Sequence, residues 1–461
     1  MYCVPVHAVP KPNSDKFRMV VDHSAGEFSL NSMIDKDKVH VDLDNVQHLA
    51  HNLLRRRRLT GKTPRWLFKS DVSMAYRRLP MHPLWQVKQV ITVDGVRRID
   101  RCNNFGGRAS GKLWCAFMSL VLWIAINEKG IDGLLAYIDD CFSDDPSEHL
   151  VFYEPYEDFL PPKQVALLLL WDEIHLPHDR PKQMFGSTCT IIGLDVDLRH
   201  MRITLSDERR TALARGVRNF VLAAPRRRRR LVEWQRILGW MNWGLNVAPL
   251  LRPALQSVYD KTAGRRIRNA PIYLNATVIR DFLWFADAFE RFDGIHIITS
   301  HEWDSSQADL IIYCDASLTG GLAFWSPAHH RGFLSELPTA PSNADTIFWY
   351  EALTVVSALD WACSLSPTPQ RVAIFSDSLN TVQMFNSMRA RPSYNELLLF
   401  TCRKLLLHHV DLRVFHIAGE VNIIADTLSR NLLHVALQYE ADLDIHLFQP
   451  PRLTLGAEEE C

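Results

Sequence analysis

The sequence predicts a multidomain protein of mixed α+β and α/β class, and three observations carry that prediction. Its length of 461 residues exceeds what one ordinary core organises, since domains run to roughly 100–200 residues. Hydrophobic residues make up 47% and charged residues 23%, close to the globular average, so the chain can bury real cores. Short β-rich runs alternate with helical patterns in two separate stretches, up to about residue 205 and again from residue 309 to about residue 430, with mostly helical sequence between them.

Taken in order, Val46, Leu49, Leu53 and Leu54 mark an amphipathic helix that runs into four arginines. An apolar strand over 66–70 ends in Asp71, and residues 103–110 form a glycine-bearing turn opening a long apolar helix. Residues 134–142 set Asp139 and Asp140 between two apolar β-forming runs. Amphipathic stretches around 231–255 and 278–289 make 206–304 a helical connecting region. The second alternation reads strand, strand, helix, strand, helix, helix, strand, helix, which predicts a mixed-sheet α/β domain over 305–432. Residues 433–461 carry no catalytic pattern, end in three glutamates and a cysteine, and read as a tail. No internal repeat of fixed period is evident.

Several classes are excluded. The longest apolar run, residues 113–126, includes a serine and falls short of the roughly 18 residues needed to cross a bilayer, so no membrane partner is expected. The first residues lack a basic start followed by an apolar stretch, so secretion is not expected. The nine cysteines are odd in number and never spaced C-x-x-C, which disfavours disulfide scaffolds and zinc fingers and fits an intracellular site, cytoplasmic and/or nuclear. With 52 basic and 52 acidic residues, whole-chain charge names no partner. Two arginine runs, at 55–58 and 226–230, read equally as solvated helix faces and as phosphate contacts.

Two adjacent carboxylates in a hairpin with buried flanks repel one another and resist desolvation unless a cation neutralises them. Magnesium suits such a pair, because it takes hard oxygen ligands and keeps substrate phosphates in its shell. Asp71 upstream adds a third acid at a strand end. The acid, the turn with Phe105 and Gly106, and the acid pair following Tyr137, in that order, resemble the three central motifs of reverse transcriptases. Val9, Pro10, Lys11 and Pro12, followed by Phe17, Arg18 and Asp22, resemble the fingers segment of that family. Lys182 with Phe185 and Gly186, then Ile191 to Leu194, resembles its later palm motifs.

This resemblance implies a right-hand polymerase, with fingers and palm over 1–205, the fingers truncated at the N-terminus, and a thumb and connection over 206–304. Asp71 and Asp139 would hold two Mg2+ (or Mn2+) ions roughly 3.5–4 Å apart, with Asp140 as a supporting acid. Tyr76 would lie under the sugar and select deoxynucleotides, its alternative being a core tyrosine on a helix face. Phe105 and Gly106 would pack on the incoming nucleotide, and Lys11, Arg18 and Lys182 would contact it. The sequence departs from many relatives at Asn104, where they carry proline, and at Ser110-Gly111, where they carry Ser-Pro or Ala-Pro.

Further along, Asp315 ends an apolar strand, Glu351 sits in a helical stretch, Asp377 ends another strand, and His416 stands ten residues before Asp426. Four carboxylates on separate elements can bind two magnesium ions that activate water and stabilise a leaving 3′-oxygen. The pattern resembles retroelement ribonuclease H domains. His416, expected on a flexible loop, would assist proton transfer or product departure.

The helix bearing Trp234, Trp240 and Trp243, followed by Pro249 and Pro253, looks like the thumb and connection of DIRS-like elements, those that encode a tyrosine recombinase. Gypsy-like elements and hepadnavirus polymerases are further relatives. The implied partners are an RNA template, a DNA primer, an RNA/DNA hybrid and deoxynucleoside triphosphates, the other polyprotein domains being absent. Three readings stay open: an active RNA-directed DNA polymerase with ribonuclease H, a decayed or domesticated remnant that binds nucleic acid without extending it, and a chain in which only ribonuclease H works.

Overall fold

A computed structural model describes residues 3–10, 15, 17–223, 227–296, 303–342 and 344–453. These residues group into two compact units, one reaching to Thr204 and including His296, the other starting at Leu205.

In the first unit, β1 (Val6–Pro10) and β2 (Phe17–Val21) pair antiparallel. Helix α1 (Val46–Thr60) starts where the Asn45 side chain accepts from the backbone N–H groups of Gln47 and His48, and it buries Val46, Leu49 and Leu53. There follow β3 (Trp66–Asp71), the short α2 (Pro83–Gln86), the hairpin of β4 (Val90–Val93) with β5 (Val96–Ile99), and α3 (Ser110–Asn127). Strands β6 (Leu135–Tyr137) and β7 (Asp140–Asp145) form a second hairpin across the two-residue turn Ile138-Asp139. The unit ends with β8 (Val151–Tyr153), β9 (Asp158–Leu160), α4 (Pro162–Glu173), β10 (Met184–Gly186), β11 (Thr188–Ile191), β12 (Leu194–Asp197) and β13 (Arg202–Thr204).

The platform of this unit is an antiparallel sheet in the order β10, β3, β7, β6. Phe68, Trp114, Cys141, Leu168 and Trp171 fill its core. Helix α3 is longer than the apolar run suggested: it takes in Ser110 to Asn127, the one helix among the described residues long and apolar enough to cross a membrane. Trp114, Met118, Val121 and Ala125, at helical spacing, bury one stripe of it in the same core.

The second unit opens with α5 (Asp207–Leu222), β14 (Arg228–Arg230), α6 (Leu231–Gly244), α7 (Gln256–Thr262), β15 (Pro271–Tyr273), α8 (Ala276–Arg291) and the two-residue β16 (Ile295–His296), whose second residue groups with the first unit. The region expected to be helical thus contains a small antiparallel pair, β14 with β15. Part of the second arginine run forms that strand, and Arg226 lies outside the described residues. Trp234 packs edge-on against Phe220 and Phe282, which tilt against each other, between the helices.

A six-stranded mixed sheet completes this unit. Its elements are β17 (Leu310–Ala316), β18 (Leu322–Ser326), β19 (Arg331–Ser335), α9 (Thr346–Ser364), β20 (Arg371–Ser376), α10 (Leu379–Ser387), α11 (Asn395–His408), β21 (Asp411–His416), α12 (Ile423–Ser429), α13 (Leu433–Tyr439) and β22 (Asp444–Leu447). The strand order is β21, β20, β17, β18, β19, β22. Strands β17, β18 and β19 run antiparallel, while β20 and β21 add parallel to β17. One face packs on α9, whose Ala352, Val355, Val356 and Leu359 are fully buried.

Two expectations are corrected here. The alternation contains one more strand than the sequence pattern suggested, β19, which reads Arg-Gly-Phe-Leu-Ser and so has a glycine and two adjacent apolar residues in place of an alternation. The segment after residue 432 is not a tail throughout: α13 buries Ala436 beside Ala323 and Leu428, and β22 pairs parallel with β19. An edge strand reading Asp-Ile-His-Leu is half polar, so only its partner reveals it.

Candidate functional site

Each unit gathers carboxylates at strand ends. In the first, Asp71 closes β3 directly opposite Asp140, which opens β7. Asp139 occupies the turn between β6 and β7, where Ile138 adopts φ 59°. That turn is pinned twice: the Trp114 indole donates to the Ile138 carbonyl at 2.8 Å, and the Val72 N–H donates to the Asp139 carbonyl at 3.2 Å. Lysines neutralise two of the three acids, since Lys182 donates to Asp71 and Lys69 lies 2.9 Å from Asp140. Burial raises the Asp71 carboxyl above the usual carboxylate range against the pull of Lys182. Burial first, then the charge of Asp71, raises Asp139.

The surroundings of this centre are built from residues the sequence reading placed there and from others it missed. Tyr76 stands in a 3₁₀ turn, Ala75–Arg78, half-buried, its ring 4.9 Å from Phe105 and 6.4 Å from Trp114. A Cβ built on Gly111 would stand 3.6 Å from its hydroxyl. At Gly106 a Cβ would lie 1.7 Å from the Val21 carbonyl oxygen, so only glycine permits this approach of the loop to β2. Asn31, missed from sequence, donates to the Gly106 carbonyl at 2.9 Å and accepts from the Arg108 N–H at 2.7 Å. Asn104, the departure from proline, accepts from Arg77 at 2.8 Å, and the same guanidinium holds the buried Asp100. Lys11 lies outside the described residues, and so does the side chain of Arg18, whose backbone pairs with Val9.

The second centre is tighter. One oxygen from each of Asp315 in β17, Glu351 in α9 and Asp377 just after β20 lies within 4.8 Å of the others, the one such group among the described residues. Glu351 accepts from the Ala316 N–H at 3.3 Å and from the Ser376 hydroxyl at 3.5 Å. The Ser429 hydroxyl donates to Asp315. Burial, joined by the neighbouring acids, pushes Glu351 up to about 9, and burial pushes Asp315 up to about 7. Three carboxylates that resist ionisation side by side are an oxygen-only donor set, which fits a hard divalent cation.

Asp426, on α12, acts on this group by charge, raising both Asp315 and Asp377, but its own carboxylate turns to Arg430 at 2.7 Å and stands outside the trio. His416 is not on a loop. It is the last residue of β21, paired with Ser376 and exposed, and its charge lowers Asp377 against burial. Asn422, missed from sequence, donates to the Cys314 carbonyl at 2.9 Å and so ties the 416–426 segment to β17. A Cβ on Gly419 would lie 3.2 Å from Asp377, a crowding that glycine avoids.

No family model matches the sequence, and no curated protein matches it. Among solved structures, the foamy viral protease-reverse transcriptase dRH in complex with ds DNA aligns with a TM-score of 0.50 at 16% identity, covering 90% of this chain and 65% of that one. A second structure of the foamy viral protease-reverse transcriptase, in complex with dsDNA, aligns at 0.49 and 16%, covering 90% and 78%. This chain therefore spans about two thirds of the length of the first neighbour. At such identity the likeness is one of fold, and the chain has a reverse transcriptase/ribonuclease H-like fold in an α+β multidomain arrangement.

Proposed function

We propose that the chain is an RNA-directed DNA polymerase with ribonuclease H activity, acting inside the cell on a DNA primer, an RNA template and deoxynucleoside triphosphates, and cleaving RNA in RNA/DNA hybrids. The observation that carries this reading most is the trio of Asp315, Glu351 and Asp377 within 4.8 Å, accompanied by Asp71 facing Asp140 across β3 and β7 in the other unit. The residues 231–253 favour a DIRS-like retrotransposon as the source.

In the first centre, Asp71 and Asp139 would hold Mg2+ or Mn2+ with Asp140 in support; in the second, Asp315, Glu351 and Asp377 would do so, with Asp426, paired to Arg430, adding negative charge beside them. The bound ions supply Lewis-acid stabilisation of the attacking and leaving oxygens of a phosphodiester. Lys182 then has the role of a phosphate contact, with Lys11 and Arg18 as further cations. Tyr76, seated against Phe105, presents a ring edge to the sugar and crowds a 2′-hydroxyl. Phe105, 44% exposed and packed on Tyr76, would pack on a base or sugar of the incoming nucleotide. His416, exposed beside Asp377, can take up or release a proton at the reaction edge.

A second reading, in which only ribonuclease H works, draws on the same contrast: the described acids meet as a tight trio in the second centre, while Asp71 and Asp140 are engaged by lysines. Primer extension and hybrid cleavage measured side by side on the purified chain with Mg2+ separate the readings. Both activities are expected; cleavage without extension favours the second reading, and neither activity defeats both.

A further inference from the structure

One polar network in the first unit, built round a buried imidazole, is used by none of the chemistry above. His178 has a side chain only 6% exposed. Its Nε2 lies 3.1 Å from Asp172 Oδ1, and its Nδ1 faces the Tyr156 hydroxyl. The Tyr153 hydroxyl donates to Asp172 Oδ2 at 2.5 Å. The carboxylate assigns the proton to Nε2, which leaves Nδ1 as acceptor for Tyr156, so all four side chains are satisfied at once. Tyr156 and Trp171 pack their rings on the imidazole at 5.5 and 5.9 Å. Tyr153 ends β8 and Tyr156 sits in the 3₁₀ turn before β9, so this hairpin supplies half of the network.

The network lies at the root of the segment that carries Lys182. His178 bridges to Val72, the residue after Asp71, and the Ser73 N–H donates to the Pro177 carbonyl at 2.8 Å. Ser73 Oγ donates to Asp179 at 2.9 Å, and Gln183 donates to the Asp71 carbonyl at 3.3 Å. Lys182 itself is a flexible side chain, 43% exposed, and an exposed ion pair holds such a chain only weakly. Its aim at Asp71 therefore comes from the backbone beneath it, and His178 is a deeply buried polar anchor of that backbone.

We propose that His178, held by Asp172, Tyr153 and Tyr156, is a positioning residue for nucleotide addition: it fixes residues 177–183 so that Lys182 points at the Asp71 centre, and thereby sets the affinity for the incoming deoxynucleoside triphosphate. This rests on the polymerase reading of that centre.

The test compares full-length wild type with His178→Ala, Tyr156→Phe, Lys182→Ala and the His178→Ala/Lys182→Ala pair. KM for the triphosphate should rise about fivefold in His178→Ala and Tyr156→Phe, the scale of one lost buried hydrogen bond, with kcat and hybrid cleavage unchanged. In the Lys182→Ala background, His178→Ala should add nothing, because the path runs through Lys182. His178→Gln, which keeps a donor toward Asp172, should restore much of the affinity. A second readout needs no polymerase activity: acetylation of Lys182 relative to Lys129, followed by mass spectrometry, should quicken in both network variants.

Additive effects in the double variant, an unchanged KM, or an equal fall of kcat and hybrid cleavage would overturn the proposal. Wild type that extends no primer defeats the polymerase reading instead, and the acetylation ratio alone then decides whether His178 places Lys182.

Discussion

Glu351 and Asp315 carry the clearest physical signature of a single-residue kind. Both fold into sites that favour their protonated forms, Glu351 up to about 9 and Asp315 up to about 7, against roughly 4 in an unfolded chain. Between those limits the folded state binds more protons than the unfolded state, so stability falls as pH rises from about 4 toward about 9. In EDTA the protein should melt at lower temperature near pH 8.5 than near pH 5.5. Glu351→Gln, neutral at every pH, should raise Tm at pH 8.5 and flatten that slope, yet lose the Tm gain that Mg2+ gives wild type. Calorimetry across pH with and without Mg2+ reads all three, and a Glu351→Gln protein less stable than wild type at pH 8.5 in EDTA would contradict the assignment. Tyr76 bears a separate prediction. Tyr76→Ala should increase ribonucleotide incorporation about tenfold or more, as expected when a steric gate worth roughly 1.4 kcal/mol is removed, with hybrid cleavage unaltered; unchanged sugar discrimination would leave it a packing residue against Phe105 and Trp114.

Elements are held to one another by contacts that composition leaves undecided. The run at 55–58 divides by helical phase. Arg56 turns inward, 17% exposed, onto Asp144, which is 1% exposed, and also reaches Asp132 at 2.9 Å. Arg55, Arg57 and Arg58 face solvent. One arginine is thus the bolt between α1 and β7, and the other three remain available to solvent or phosphate. Asp144→Ala leaves the Arg56 guanidinium with only the exposed Asp132 and should cost about 1–3 kcal/mol, whereas Arg55→Ala should stay within about 0.5 kcal/mol. Urea unfolding of the two variants checks the contrast, and similar losses from both would mean that the division does not matter. In the second run Arg229 likewise turns back, donating to the Phe220 and Asn219 carbonyls.

For the molecule as a whole, each unit has its own core and its own acidic centre, Asp71 with Asp139 and Asp140 in one, Asp315 with Glu351 and Asp377 in the other. Removing one ligand charge with little change of shape should silence one centre and spare the other. Asp377→Asn is expected to abolish RNA cleavage in hybrids while primer extension persists, and Asp139→Asn to do the reverse, each by about 100-fold or more, the order of effect seen when a group acting on transition-state charge is lost. The measurement is both activities on folded protein of unchanged Tm. Loss of both activities from either substitution would refute two independent sites.

Much of this architecture was legible because strands and helices announce themselves through local periodicity. Asp71 and Asp315 close runs of apolar β-formers, Asp377 follows one, and Asp139 and Asp140 interrupt two, so an acid at a strand end could be read from neighbours a few residues away. The alternation also disclosed two α/β regions separated by a more helical one. What periodicity cannot carry is which distant residues meet. That Asp426 turns to Arg430 rather than joining Asp315, that residues 444–447 extend a sheet, that Arg56 alone of its run is buried, and that Tyr153, Tyr156, Asp172 and His178 close one network all depend on pairings across the fold. Such pairings arise when burial strips water from polar groups and each must find a partner in three dimensions, and that search is settled only when the whole chain has packed.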